Sequence, residues 1–133
     1  MSDYPIHLIG GSDDEAGLVS YGPVDGLCRV SFNYRSRSIE ASSSDYFEAF
    51  SQIRLQLERE GLIPFCYGSS LNVFPSGMCR DMGSALSAYK LVAGRAPERT
   101  DLVKIFESGH DVIPASVANQ KAFYSNWIQS RNA

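Results

Sequence analysis

Apolar and polar residues alternate most regularly in "CRVSFNYR" (28–35), where Cys28, Val30, Phe32 and Tyr34 interleave with Arg29, Ser31, Asn33 and Arg35. A period of two predicts a strand with one buried face. "SIEA" (38–41) is placed to return as its hairpin partner. "YPIHLI" (4–9) and "LVSYG" (18–22) predict two further strands. Between them "GGSDDEAG" (10–17) reads as an exposed turn, and Pro23, Asp25 and Gly26 close the second strand with turn chemistry.

The period changes in "SSSDYFEAFSQIRLQLEREG". Tyr46, Phe50, Ile53 and Leu57 recur at helical spacing, giving one apolar stripe. Asp45 followed three residues later by Glu48 resembles a capping box, and Gly61 supplies the stop. "LIPFCYG" (62–68) is expected to be a strand, with Pro64 marking an edge or irregularity. "TDLVKIFES" (100–108) reads as a short helix capped by Thr100. "ASVANQKAFYSNWIQS" (115–130) reads as a terminal helix capped by Ser116, whose Val117, Phe123, Tyr124, Trp127 and Ile128 are expected to dock on the sheet. These elements add up to an α+β fold in a single domain spanning 1–133. A mostly antiparallel sheet packs against one long helix (about 45–60) and a C-terminal helix (about 116–130).

The stretch "NVFPSGMCRDMGSALSAYKL" (72–91) fits neither period. Pro75 presets φ and Gly77 tolerates positive φ, so "FPSG" is a turn. Met78, Met82, Ala85, Leu86 and Leu91 offer apolar contacts, and Arg80 and Asp81 are adjacent, so on a helix they do not face each other. The expectation is a loop, a short irregular helix or strand, and a strand near "AYKLV" (88–92). An exposed Arg80 or Asp81 is the functional option this stretch retains.

A chain of 133 residues with 44% hydrophobic, 11% aromatic and 20% charged residues can build one real core. Its longest nearly continuous apolar run, Leu62–Tyr67, is far shorter than the roughly 20 residues of a membrane span. "MSDYPIHLIGG" carries no positive charge ahead of its apolar run, so no secretion signal is expected. Cys28, Cys66 and Cys79 are odd in number and unpaired in spacing, which favours reduced thiols and a cytoplasmic location.

Charge is unevenly placed. Asp3, Asp13, Asp14, Glu15 and Asp25 precede the first base, Arg29, and the rest of the chain holds ten acids against twelve bases. Nucleic-acid binding is not expected without a basic footprint. An acidic N-terminal fifth suits a basic protein partner, or else simply a solvated surface.

Candidate chemistry is sparse. A Cys79–His110–Asp111 arrangement would need a thiolate held near a base, and no local signature surrounds the cysteine. It stands as the alternative reading, a small hydrolase or transferase using Cys79 with His110. "SAYK" matches S-x-x-K at Ser87 and Lys90, but nineteen serines and three lysines give roughly half a match by chance. On a strand the two side chains would point to opposite faces. Asp13, Asp14 and Glu15 lack the alternation of a calcium loop, the Cys and His residues lack zinc spacing, and the glycines form no nucleotide loop. No catalytic residue, metal ligand or cofactor is therefore assigned.

The succession of an N-terminal sheet, a long helix ending in Gly, "GLIPFCYGSSLNVFPSGMCRDM…AYKLVAG", "DLVKIF" and "NQKAFYSNWIQS" resembles small bacterial immunity proteins. These neutralise toxins in contact-dependent inhibition or other polymorphic toxin systems. The resemblance implies a cytoplasmic, non-enzymatic module that binds a cognate toxin and blocks its active site, touching neither nucleic acid nor membrane itself. A nuclease toxin would present a basic domain, which the N-terminal acids complement. Asp13, Asp14, Glu15 and Asp25, with Arg80 and Asp81, are the candidate partner contacts.

Overall fold

The computed structural model describes residues 3–132. Four strands form an antiparallel meander: β1 (Tyr4–Ile9), β2 (Ala16–Val24), β3 (Leu27–Tyr34) and β4 (Arg37–Ser43). A two-residue strand, β5 (Ile63–Pro64), adds to the free side of β1, giving the order β4-β3-β2-β1-β5. Two-residue turns at Asp25–Gly26 and Arg35–Ser36, all at positive φ, set the hairpin registers. The alternation over 28–35 holds in space. Val30, Phe32 and Tyr34 are buried on one face, while Cys28 is half-buried near the end of the sheet.

Helix α1 (Tyr46–Glu58) packs its stripe of Tyr46, Phe50, Ile53 and Leu57 on that face. Asp45 caps it by accepting a hydrogen bond from the Glu48 amide at 2.8 Å. Its other end closes in the Schellman manner, with Gly61 at φ +75 and Leu62 N–H donating to the Leu57 carbonyl. A second antiparallel sheet, β6 (Val73–Phe74), β7 (Ser87–Lys90) and β8 (Leu102–Lys104), completes the core through Ala88, Ile105 and Phe106. Helix α2 (Gly77–Gly83) lies between β6 and β7, and α3 (Val117–Asn132) ends the chain, with Ser116 capping it through the Asn119 amide. The fold is α+β.

Four expectations are corrected. Residues 100–108 are not a helix. A 3-10 turn (Arg99–Asp101) capped by Glu98 leads into β8, because Val103 and Ile105 point inward at strand spacing and Val103 pairs with Ala88. Only Ile63–Pro64 of 62–68 is strand, after which the chain turns through a 3-10 segment (Tyr67–Ser69). Pro23 does not end β2. It pairs opposite Cys28 beyond the point where β1 begins to pair, at Tyr4 and Val19, so its missing N–H removes no β1–β2 ladder bond. Helix α3 docks on α1 and β6 instead of the main sheet, so Ile128 of its expected apolar face remains 38% exposed.

Candidate partner-binding surface

The N-terminal acids do not form one patch. Asp13 and Asp14 occupy the β1–β2 connection, whereas Asp25 sits at the β2–β3 turn. Nine residues of β2 separate the two ends, a span of roughly 30 Å at strand rise. Glu15 is committed within the fold. Its carboxylate accepts from the Arg35 guanidinium, with one contact at 2.9 Å, and that pairing holds its pKa below the ordinary carboxylate value.

The bases of this layer are likewise committed. Arg29 pairs with Glu40 across β3 and β4, Arg35 with Glu15, and Arg37 with Glu60. Tyr34 and Arg37 both donate to the Glu60 carboxylate and hold its pKa down. Among the described residues no base pairs with Asp13, Asp14 or Asp25, so the tips of the sheet carry uncompensated negative charge.

The sheet face opposite α1 is open. Ser20, Ser31, Asn33, Ser38 and Ser42 lie on it by register, with Leu18, Val24 and Leu27 at 45%, 39% and 46% exposure. Shallow depressions of about 550 Å³ beside Leu18 and about 380 Å³ beside Leu27 mark this surface.

Arg80 and Asp81 lie on α2, whose place in the fold is fixed through Asp45. Asp45 Oδ1 caps α1 while Oδ2 accepts from Arg80 at 2.6 Å, and the carboxylate is only 4% exposed. The Arg80 guanidinium also stands over the rings of Phe47 and Phe74, at 5.8 and 5.7 Å. Arg80 is therefore a tether turned toward the body of the protein, and Asp81 is exposed. Asp45 follows the end of β4, and Cys28 Sγ lies 3.8 Å from the Ser44 carbonyl. The Asp25 turn, Arg80 and Asp81 thus share one end of the sheet, and Asp13 and Asp14 the other.

Cys79 sits half-buried on α2, its amide donating to Ser76 Oγ. Asp111 is engaged elsewhere, accepting from Tyr67 Oη at 2.6 Å and from Lys90 Nζ at 3.1 Å. Those two donors pull the Asp111 pKa down to about 2, and the same bond pushes Tyr67 up to about 12. No hydrogen bond joins His110 to Cys79 or to Asp111 among the described residues. Ser87 and Lys90 fall on opposite faces of β7, as strand geometry requires.

A buried polar clamp joins α1 to α3, and the sequence expectations do not include it. Arg54, 1% exposed, donates to the Gly68 carbonyl, to Gln120 Oε1 and to the Ala115 carbonyl. Gln120 Nε2 in turn reaches the carbonyls of Gly68, Ser70 and Val73. Burial pulls the Arg54 pKa down to about 10, which leaves it charged at neutral pH. A lone Arg inside the α1 stripe was the available signal, since helix positions 50, 54 and 57 share one face. Cys66, buried nearby, has its thiol pushed up to about 11.

The chain matches no protein-family model and no curated protein sequence. No helix of the described residues is long and apolar enough to cross a membrane.

Proposed function

We propose that this chain is a cytoplasmic, non-enzymatic protein-binding module of the immunity kind, which holds a cognate toxin domain and blocks it. One observation carries the reading. Each arginine of the main sheet and its turns, Arg29, Arg35 and Arg37, pairs with an acid of the fold, while among the described residues no base pairs with Asp13, Asp14 or Asp25. A protein surface arranged so attracts a basic partner by long-range field, and a toxin domain that acts on phosphates is basic. The open, weakly charged sheet face between those tips supplies area that a partner can cover.

The test is survival of cells that express candidate toxin domains with and without this chain. Protection by the intact chain, together with a stoichiometric complex of chain and toxin in purified form, supports the reading. Purified toxins that keep full activity at saturating chain concentration remove it. Reversal of charge by Asp25→Lys is expected to slow association and flatten its salt dependence, which stopped-flow mixing at two ionic strengths measures.

A further inference from the structure

The two edges of the main sheet differ in how they are protected. β5 closes one side with only two residues, of which Pro64 has no N–H to offer a further strand. β4 closes the other side with seven residues, Arg37–Ser43. It contains no proline and no lysine, and its register with β3 runs from end to end without a bulge. Its one acid, Glu40, is already paired with Arg29 of β3. A long, flat edge of this kind is a template for another strand.

The β3–β4 turn fixes which backbone groups are left over. Its two residues at positive φ are closed by a hydrogen-bonded pair, Tyr34 and Arg37, and along the ladder such pairs alternate with non-bonded ones. Ile39 and Ala41 therefore bond back to Phe32 and Val30, whereas Ser38, Glu40 and Ser42 turn their N–H and C=O groups outward. No other backbone group among the described residues bonds to those six. Ile39 and Ala41 pack against the core on the α1 side yet are only half-buried, because no strand lies beyond them.

We propose that β4 pairs antiparallel with β4 of a second copy of this chain, across a two-fold axis at Ala41. Outward residues must face outward residues, and three axes keep most of the strand paired: through Ile39, Glu40 or Ala41. An axis at Glu40 sets the two Glu40 carboxylates directly opposite each other, which opposes pairing. An axis at Ile39 sets Glu40 opposite Ser38, whose neighbour on β3 is Asn33, and brings it no base. An axis at Ala41 sets Glu40 opposite Ser42 of the partner subunit, and the neighbour of that residue on β3 is Arg29. Glu40 then shares a row with Ser42 and Arg29 of the partner subunit, and the small serine leaves the guanidinium room to reach across. Glu40 and Ser42 exchange N–H···O=C bonds, and the two-fold repeats the exchange. The same pairing covers the open side of Ile39 and Ala41. It uses none of the N-terminal acids, so it goes beyond the immunity reading and does not rest on it.

A strand pair covers less area than a standard interface, so the dimer dissociates on dilution. The test is sedimentation velocity of the full chain from about 10 μM to about 1 mM, with amide hydrogen exchange followed by NMR at both ends of the range. A dimer that grows with concentration is expected, with the amides of Ser38, Glu40 and Ser42 protected only at the high end. Ser42→Pro removes an outward N–H and no β3–β4 bond, and should raise the dimer Kd at least about tenfold. Its Tm under dilute conditions verifies that it folds. Glu40→Gln reads the register and alters only an exposed side chain. It should weaken the dimer at least about threefold by removing the attraction to Arg29 of the partner subunit. A dimer tightened by Glu40→Gln would mean that the carboxylates oppose each other, and overturns the axis at Ala41. A chain that stays monomeric at about 1 mM, or a dimer that Ser42→Pro leaves intact, overturns the proposal altogether. Protection of the three amides only after a toxin domain is added would assign the edge to a strand of that protein, and overturns self-pairing equally.

Discussion

Arg54 on α1 and Gln120 on α3 meet at 2.7 Å with each side chain no more than 1% exposed. Between them they satisfy the carbonyls of Gly68, Ser70, Val73 and Ala115, of which only Val73 lies in a strand, the two-residue β6. The pair therefore does for residues 68–73 and 115 what a sheet does elsewhere, supplying donors to buried acceptors. Arg54→Met removes the donors without removing the burial. A loss of about 3 kcal/mol is expected from the stranded carbonyls. A lowered urea midpoint with unchanged slope would show it.

Asp111 gives the fold an acid-side dependence. Its folded pKa of about 2 lies below the ordinary 3.8 because Tyr67 and then Lys90 donate to the carboxylate. The unfolded chain therefore takes up this proton first. The associated stability is present above about pH 4 and is lost as pH falls toward 2. In Tyr67→Phe the Asp111 carboxyl should titrate closer to 3.8, and the Tm advantage of the wild type over the variant should fade across that window. Carbon NMR of the carboxyl and melting curves at several pH values read the two effects separately. Equal carboxyl titrations in wild type and variant would show that Tyr67 is not the main cause.

Gly17 leaves room for Phe32. A Cβ at position 17 would stand 2.3 Å from the Phe32 ring, which is fully buried on the neighbouring strand. Gly17→Ala should cost about 1–3 kcal/mol through overpacking. The companion Phe32→Leu should recover part of that loss, and a double-mutant cycle by urea denaturation tests the coupling.

Ser84 tests the strain that holds α2. With φ at +54 it occupies a conformation that glycine adopts freely. Ser84→Gly is expected to stabilise the chain by about 0.5–1 kcal/mol. A destabilised variant in the same melt would mean that the hydroxyl contributes more than the strain removes.

The β3–β4 hairpin, α1 with its cap at Asp45 and stop at Gly61, and the α+β class were legible in the sequence. Each rests on local periodicity or on cap and turn chemistry that neighbouring residues decide. Residues 100–108 misled because a short apolar run matches either period, and pairing with β7 makes it a strand. Arg54 falls within the α1 stripe, but its acceptors lie 14, 66 and 61 residues away along the chain, so no local pattern names its partners. The candidate surface divides in the same manner. The sequence by itself determined which residues are acidic and that five of them precede the first base, Arg29. Only the tertiary structure decided that β2 holds Asp13 and Asp14 apart from Asp25, that Glu15 is spent on Arg35, and that Arg80 turns inward to Asp45 while Met78 and Met82 stay outside. Partnership between charges depends on strand register and helix placement, which long-range packing sets and local sequence does not.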